Sequence, residues 1–489
     1  MRSFRVPHQF LLPSLVLVSV HAALHGQVPD RAQTSRTALT KGSIAITNVA
    51  VVPMTSDTVI RDATVLIRNG RITSVGPAAS TRIPVGARRI DGRGRYVIPG
   101  LADMHAHLFS DDEAPDSAGP AELGVYLANG VTTARLMIGT PEHLILRRDI
   151  EAGTIAGPQL WIASPQFMGR PGEHARVVTT PAEARAAVDE VADSGFDFIK
   201  LTVDITLEVF EAIVAEAAVK GVPVVGHVDP RVGVARALAA HQHIEHLDNY
   251  MESALADSAP MRNSVSDIGV FRLTNWESID WVDDAKVAQL GGATARAGVY
   301  VTPTLNMFKT AFAQGQPDSV LHARPDWNMM PPAWRALYLR ANAKYWSNPP
   351  TAARRQRYIE IRNAMMRAIA DSGGHIMAGS DTPDWFHVYG WALHRELQCL
   401  VAAGLTPYQA LAAATVTPAA FLGASAEWGT IQVGKRADLV LLAANPLDDI
   451  SNTTRIEGVM VGGRWFNPPE LARMIQRSSL AIDGTAPDS

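Results

Sequence analysis

The chain's strongest constraint on its own fold is a change of texture at Pro99. From there to about residue 424, apolar runs of strand length alternate with helical patterns eight times over. The runs are "YVIPGLADMHAH", "GVTTARLM", "QLWIASPQF", "FDFIKLT", "PVVGHV", "HIEHL", "YVTPTL" and "HIMAGSD". Between them lie segments such as "PAEARAAVDEVADSG" and "LEVFEAIVAEAAVKG", whose apolar residues recur at helical spacing. Eight strands alternating with helices predict an α/β chain folded as a (β/α)8 TIM barrel over residues 99–424.

Both flanks read differently. From Ile44 to about Ile98 short alternating strands are punctuated by turn residues, with "NGR" at Asn69 to Arg71 as a hairpin signal. Strand patterns return after Gly423 in "GTIQVGKRADLVLLAANPL" and "IEGVMVGGRWF". The simplest account joins residues 44–98 and 425–467 in a small β-sandwich made from both chain ends. Two stretches exceed what a barrel needs, at about 251–298 and 307–374. The second carries the helical patterns "PPAWRALYLRANAKYWSNPP" and "AARRQRYIEIRNAMMRAIADSGG". Insertions after barrel strands sit over the catalytic face, so a lid or substrate-shaping element is expected there. Residues 468–489 form a tail that opens with a short helix.

Composition narrows the class. The chain has 489 residues, 47% hydrophobic and 19% charged, with a net charge of -4 and no basic cluster, which argues against a nucleic-acid partner. Its single cysteine, Cys399, rules out an internal disulfide and a cysteine-based metal site, and reads as a buried small apolar residue. "MRSFR" followed by "FLLPSLVLVSVHAAL" and small residues reads as an export signal over 1–26, with a flexible leader at 27–43. That apolar stretch falls short of the roughly 20 residues needed to span a bilayer, although an uncleaved anchor stays open as the alternative. A soluble exported protein, periplasmic or secreted, is expected, with no stable membrane span.

Catalytic groups in a barrel come from the C-terminal ends of its strands. Reading those ends gives His105 and His107, Lys200, His227, His246 and Asp381. Imidazoles and a carboxylate suit Zn²⁺ and its neighbours. Singly, each has a bland reading: a core histidine, a helix cap at Asp381, a salt-bridged lysine. Six at five strand ends are hard to obtain as structural accidents. Lys200 is the informative member, because an ammonium among metal-binding histidines would repel the cations. It must lose its charge, and carbamylation by CO₂ would turn it into a carboxylate-like bridge.

The segments "PGLADMHAHL", "FIKL", "GHV", "IEHLD", "AGSDTP", "AATVTPAAFLG" and "GTIQVGKRADLVLL" together resemble the amidohydrolase superfamily, in its exported imidazolonepropionase-like branch with Xaa-Pro dipeptidase-like and ochratoxinase-like hydrolases. The resemblance covers roughly residues 44 to 466. It implies a small-molecule substrate and two divalent ions, most often zinc. His105, His107 and Asp381 would hold the more buried ion and His227 and His246 the other, bridged by N6-carboxylysine at Lys200 and a hydroxide. Asp381 would act as general base and then acid in hydrolysing an amide or peptide-type C–N bond, as in an N-acyl amino acid or dipeptide. Dipeptidase-like relatives often carry a carboxylate-binding tyrosine two residues after the fifth-strand histidine, where this chain has Asp229. His174, Arg135 and Arg170 are candidate substrate contacts, each with a surface reading beside it.

Two other readings remain open at this point. One is a mononuclear, imidazolonepropionase-like cyclic-amide hydrolase or deaminase, which would not need Lys200. The other is a non-catalytic scaffold on the same fold. A homo-oligomer is also open, since the insertions offer surface for one.

Overall fold

A computed structural model describes residues 39–108, 119–172, 174–260, 276–313, 317–330, 332–345, 350–383 and 386–481. The expected export signal, residues 1–26, lies outside them, as do most of the leader and the last residues of the tail.

The strands at the two chain ends share one eight-stranded sheet. Ser43–Val51, Ile60–Arg68, Arg71–Pro77, Arg88–Asp91 and Tyr96–Pro99 come from the N-terminal flank, and Leu439–Leu442, Ile456–Val461 and Arg464–Phe466 from the C-terminal flank. The seam is antiparallel, with Leu439 opposite Pro99 and Leu442 opposite Tyr96. The expected hairpin turns at Asn69 and Gly70, both at positive φ, the backbone that a two-residue turn matched to strand twist requires. Alternate residues such as Ile46, Val65, Val97, Leu441 and Met460 fill one core beneath this sheet.

The remaining strands are parallel. Leu101–Ala106, Val131–Leu136 and Gln159–Ile162 form a three-stranded sheet. Ile199–Leu201, Val224–Gly226, His243–Glu245, Tyr300–Thr302 and His375–Ile376 belong to a seven-stranded one. Its first two members are Gln166–Met168, the end of the expected run "QLWIASPQF", which is thus split between the two sheets, and Ala175–Val177, which the apolar pattern did not announce. Single parallel bridges, Ala163 to Phe198 and Ala106 to Thr382, lie between the two sheets. The Met104 N–H also donates to the Ala378 carbonyl at 3.0 Å. The chain is thus an α/β protein.

The first expected strand, "YVIPGLADMHAH", is two strands in different sheets. It breaks at Gly100, where an added Cβ would lie 2.1 Å from Thr132 Oγ1, so only glycine lets the chain pass from one sheet to the other.

Helices follow their sequence signals. Pro181–Ser194 starts from Thr180, whose hydroxyl accepts from the Glu183 N–H while Glu183 reaches back, and stops at Gly195 with φ 90°. Each such cap contributes about 1 kcal/mol. Its buried residues Ala184, Ala187, Val188, Val191 and Ala192 form one stripe at helical spacing. Leu207–Lys220 starts from Thr206, whose hydroxyl accepts from the Val209 N–H, and stops at Gly221 with φ 66°. The second insertion contains the helices Pro332–Tyr345 and Ala352–Asp371. The tail helix Pro468–Ala481 packs where Gly124 leaves room, an added Cβ there lying 3.1 Å from that of Met474.

Candidate metal centre

His105 lies near the end of the strand Leu101–Ala106, with His107 just past it. Period-two geometry sends both imidazoles the same way. Their Nε2 atoms lie 3.4 and 3.0 Å from Asp381 Oδ1, and the ligand atoms of these three residues fall within 4.8 Å of one another. Asp381 follows the strand His375–Ile376 in a left-handed backbone (φ 57°), its N–H donating to the His105 carbonyl at 2.7 Å. The preceding Ser380 donates its hydroxyl to Asp103 Oδ2 at 2.5 Å and its N–H to Oδ1 at 2.9 Å. The last strand is thereby fastened to the first through a wholly buried carboxylate. His246 brings Nδ1 to 3.7 Å from Asp381 Oδ2, and its ring centroid lies 4.4 Å from that of His105 and 4.8 Å from that of His227.

The outer nitrogens of three imidazoles are fixed. His105 Nδ1 lies 2.8 Å from Glu245 Oε2, His227 Nδ1 2.6 Å from Asp248 Oδ2, and His246 Nδ1 2.8 Å from Thr304 Oγ1. An ionised carboxylate only accepts, so His105 and His227 carry the proton on Nδ1 and leave Nε2 a lone pair. Burial pushes the His105 and His246 imidazoles well below their usual range, which keeps them neutral, the form that binds metal. Burial works to raise the Asp381 carboxyl, but His105, His107 and Lys200 outweigh it and hold the carboxyl well below the usual carboxylate range.

Lys200, on the strand Ile199–Leu201, is 1% exposed, and its Nζ has no hydrogen-bond partner among the described residues. Burial lowers its pKa from 10.5 to about 8, against the opposing pull of Glu245 and Asp381. A buried amine without a partner costs about 1–3 kcal/mol, and more if it is charged. Oriented neutral imidazoles, an ionised carboxylate and an orphaned amine form a donor set that fits a divalent cation. His105, His107 and Asp381 are the group that could hold one.

The other candidates fall elsewhere. Arg135 does not face a substrate. It is 0% exposed, donating from Nη2 to Glu245 Oε1 at 2.6 Å and from Nε to the Met104 carbonyl at 2.6 Å. It fixes the carboxylate that orients His105. Arg170 is an exposed residue paired with Asp204 at 2.5 Å, so its surface reading holds. His174 is half-buried on the loop after Gln166–Met168; burial first, and then the charge of His174, lower the pKa of the neighbouring His143 to about 4. Asp229, two residues after His227, accepts from the Ile205 N–H at 2.8 Å and from Arg231. It ties two loops together.

Glu245, Asp248, Thr304 and Asp103 were missed. Two of them stand in the quoted "IEHLD", where acidic residues flanking a strand-end histidine were the available signal.

Parallel strands that deliver histidines and a carboxylate to one point define an α/β enzyme with a metal-capable centre. Residues 96–466 match the model of the amidohydrolase family, and the chain belongs to that family. It is similar to the imidazolonepropionase of Symbiobacterium thermophilum, 26% identical over 434 residues, or 79% of this chain and 84% of that protein. The match to the Mycolicibacterium smegmatis imidazolonepropionase is 41% identical but spans only 76 residues, 15% of this chain and 19% of that protein. Among solved structures, a putative prolidase from Bifidobacterium longum superposes with TM-score 0.66 and 27% identity, covering 90% of this chain and 99% of that one. A bottromycin amidohydrolase gives TM-score 0.69 and 26% identity, over 95% and 96%. The chain is therefore a hydrolase acting on carbon–nitrogen bonds, and the scaffold reading falls away. Among the described residues no helix is long and apolar enough to cross a membrane.

Proposed function

We propose that the chain is an exported enzyme whose parallel strands close a (β/α)8 barrel beside a β-sandwich, and whose binuclear centre hydrolyses an amide or peptide-type C–N bond. Lys200 carries this reading: a buried amine without a partner among the described residues, facing imidazoles and a carboxylate. With a pKa near 8, a usable fraction is neutral at physiological pH, and a neutral amine adds CO₂ to give a carbamate and a proton. The product is an anion able to lie between two cations. His105, His107 and Asp381 would hold one ion and His227 and His246 the second. Such ions, zinc by this donor set, would supply an activated water and a polarised carbonyl.

The remaining work falls to the chain's own groups. Asp381 Oδ1 lies 3.0 Å from His107 Nε2 and Oδ2 lies 3.7 Å from His246 Nδ1, so the carboxylate would be placed to take a proton from the attacking water and pass it to the leaving nitrogen. Glu245 and Asp248 keep the His105 and His227 tautomers fixed. N-acyl amino acids and dipeptides are the substrates to try first, in line with the prolidase-like neighbour.

A second reading is favoured by one observation. His105, His107 and Asp381 alone form a compact three-ligand group, which would suit a mononuclear, imidazolonepropionase-like hydrolase of cyclic amides.

Metal per chain, measured by mass spectrometry on protein expressed with zinc and bicarbonate, separates the two. Two ions in the wild type, falling to one or fewer in Lys200→Ala, support the bridged centre. One ion, unchanged by that substitution, refutes it.

A further inference from the structure

The turn that follows the parallel strand at residues 300–302 is gripped from both sides by buried polar side chains. Tyr300–Thr302 runs into Pro303 and then Thr304, whose backbone is left-handed at φ 45°. A threonine held there is strained by about 1–3 kcal/mol and stays only where its surroundings fix it. Its hydroxyl is the group 2.8 Å from His246 Nδ1, and His246 and Leu247 are themselves left-handed, at φ 60° and 56°.

Arg362, on the insertion helix Ala352–Asp371, donates from Nη2 to the His246 carbonyl and, at 3.3 Å, to the Pro303 carbonyl. Its guanidinium also stacks 3.3 Å from the Phe308 ring centroid. From the other side, Glu396 on the helix Trp391–Ala402 accepts from the Leu305 N–H at 3.0 Å and the Asn306 N–H at 2.7 Å. Arg362 is 7% exposed and Glu396 0%. A buried guanidinium on the carbonyls and a buried carboxyl on the amides thus hold one strained turn, and they need that turn as much as it needs them.

We infer that Arg362 and Glu396 are positioning residues that set how tightly the His227/His246 pair binds a divalent ion, acting through Thr304 without touching the ion. The inference rests on the metal-centre reading above. Its physical content is that the second insertion, whatever it does to substrate, supports the centre from the side through its long helix.

The test is zinc binding to the full-length protein, by chelator competition together with ion counting. Wild type, Arg362→Met, Arg362→Lys, Glu396→Gln and, as the reference lesion, His246→Ala are compared. Losing a partner of this kind typically costs 10- to 100-fold in metal affinity. R362M and E396Q should weaken by about 10- to 100-fold the same ion that H246A removes, leaving the His105/His107/Asp381 ion at wild-type affinity, with R362K in between. Equal loss of both ions, or wild-type affinity for both in R362M, overturns the inference. A wild type that binds a single ion would refute the two-ion reading instead. The clamp is then judged on that ion: weakened in both H246A and R362M it stands, and unchanged in R362M it falls.

Discussion

Replacing Glu245 with glutamine removes one charge from an ion pair in which both side chains are wholly buried. Arg135 would keep its bonds to the Met104 carbonyl and to Thr302 Oγ1 at 3.1 Å, and the Phe198 and Phe421 rings 5.7 and 5.3 Å away. None of these is an anion, and of the carboxylates that favour its charge only Asp103 remains. A buried guanidinium left without its counter-charge costs about 3–5 kcal/mol, a large part of the roughly 5–15 kcal/mol that stabilises a typical domain. The same substitution weakens the acceptor at His105 Nδ1, which should lower zinc affinity by about 10- to 100-fold. The two losses have different causes and can be separated. Adding Arg135→Met removes the stranded cation, so the double variant should recover at least half of the lost stability while zinc affinity stays low. Urea denaturation of the metal-free protein and chelator competition measure the two quantities. An E245Q protein within 1 kcal/mol of wild type, or a double variant less stable than the single, would refute the argument that this pair is held together by mutual neutralisation.

Asp381→Asn should lower kcat by about 100- to 10,000-fold and also weaken the ion that His105 and His107 would share with it, because Asp381 is both proton carrier and ligand; steady-state kinetics on any turned-over amide at saturating zinc, with ion counting, checks this. In the metal-free protein Lys200 releases its proton near pH 8, whereas in the unfolded chain it does so near 10.5, so the unfolded state binds the extra proton between those values. The Lys200 contribution to stability should therefore rise by roughly 3 kcal/mol as pH increases from about 8 to 10.5, read as the difference between wild type and Lys200→Met in denaturation curves. Gly100→Ala would drive a methyl into Thr132, at a cost of about 1–3 kcal/mol or more that a melting experiment would register.

Most of the parallel strands were legible because they are short apolar runs between helical patterns, and apolar continuity is a local signal; the half-exposed Ala175–Val177 has no such run. The meeting of His105, His107, His246 and Asp381 was legible for a related reason, since strand ends on one side of a parallel sheet converge wherever the strands do. Arg135 was not legible. Nothing near it in sequence says that its partner is Glu245, and the same residue type at a strand end reads equally well as a substrate contact. Thr304 and Arg362 were hidden because their work is done through backbone carbonyls and a left-handed turn, which leave no trace in residue type. The break at Gly100 was hidden too: the apolar pattern runs straight through it, and only the approach of Thr132 shows that two sheets meet there.

Pro99 and Leu439 are partners across the seam of the eight-stranded sheet, yet nearly the whole enzyme is made between them. On the ribosome, at about 5–20 residues per second, the strand Tyr96–Pro99 emerges on the order of tens of seconds before its neighbour exists. For that interval the nascent chain carries a half-finished sheet whose free edge can pair with any passing strand. A chain stalled before Leu439 would keep that edge, so truncated products should aggregate through the N-terminal sheet even where the catalytic segment has already folded.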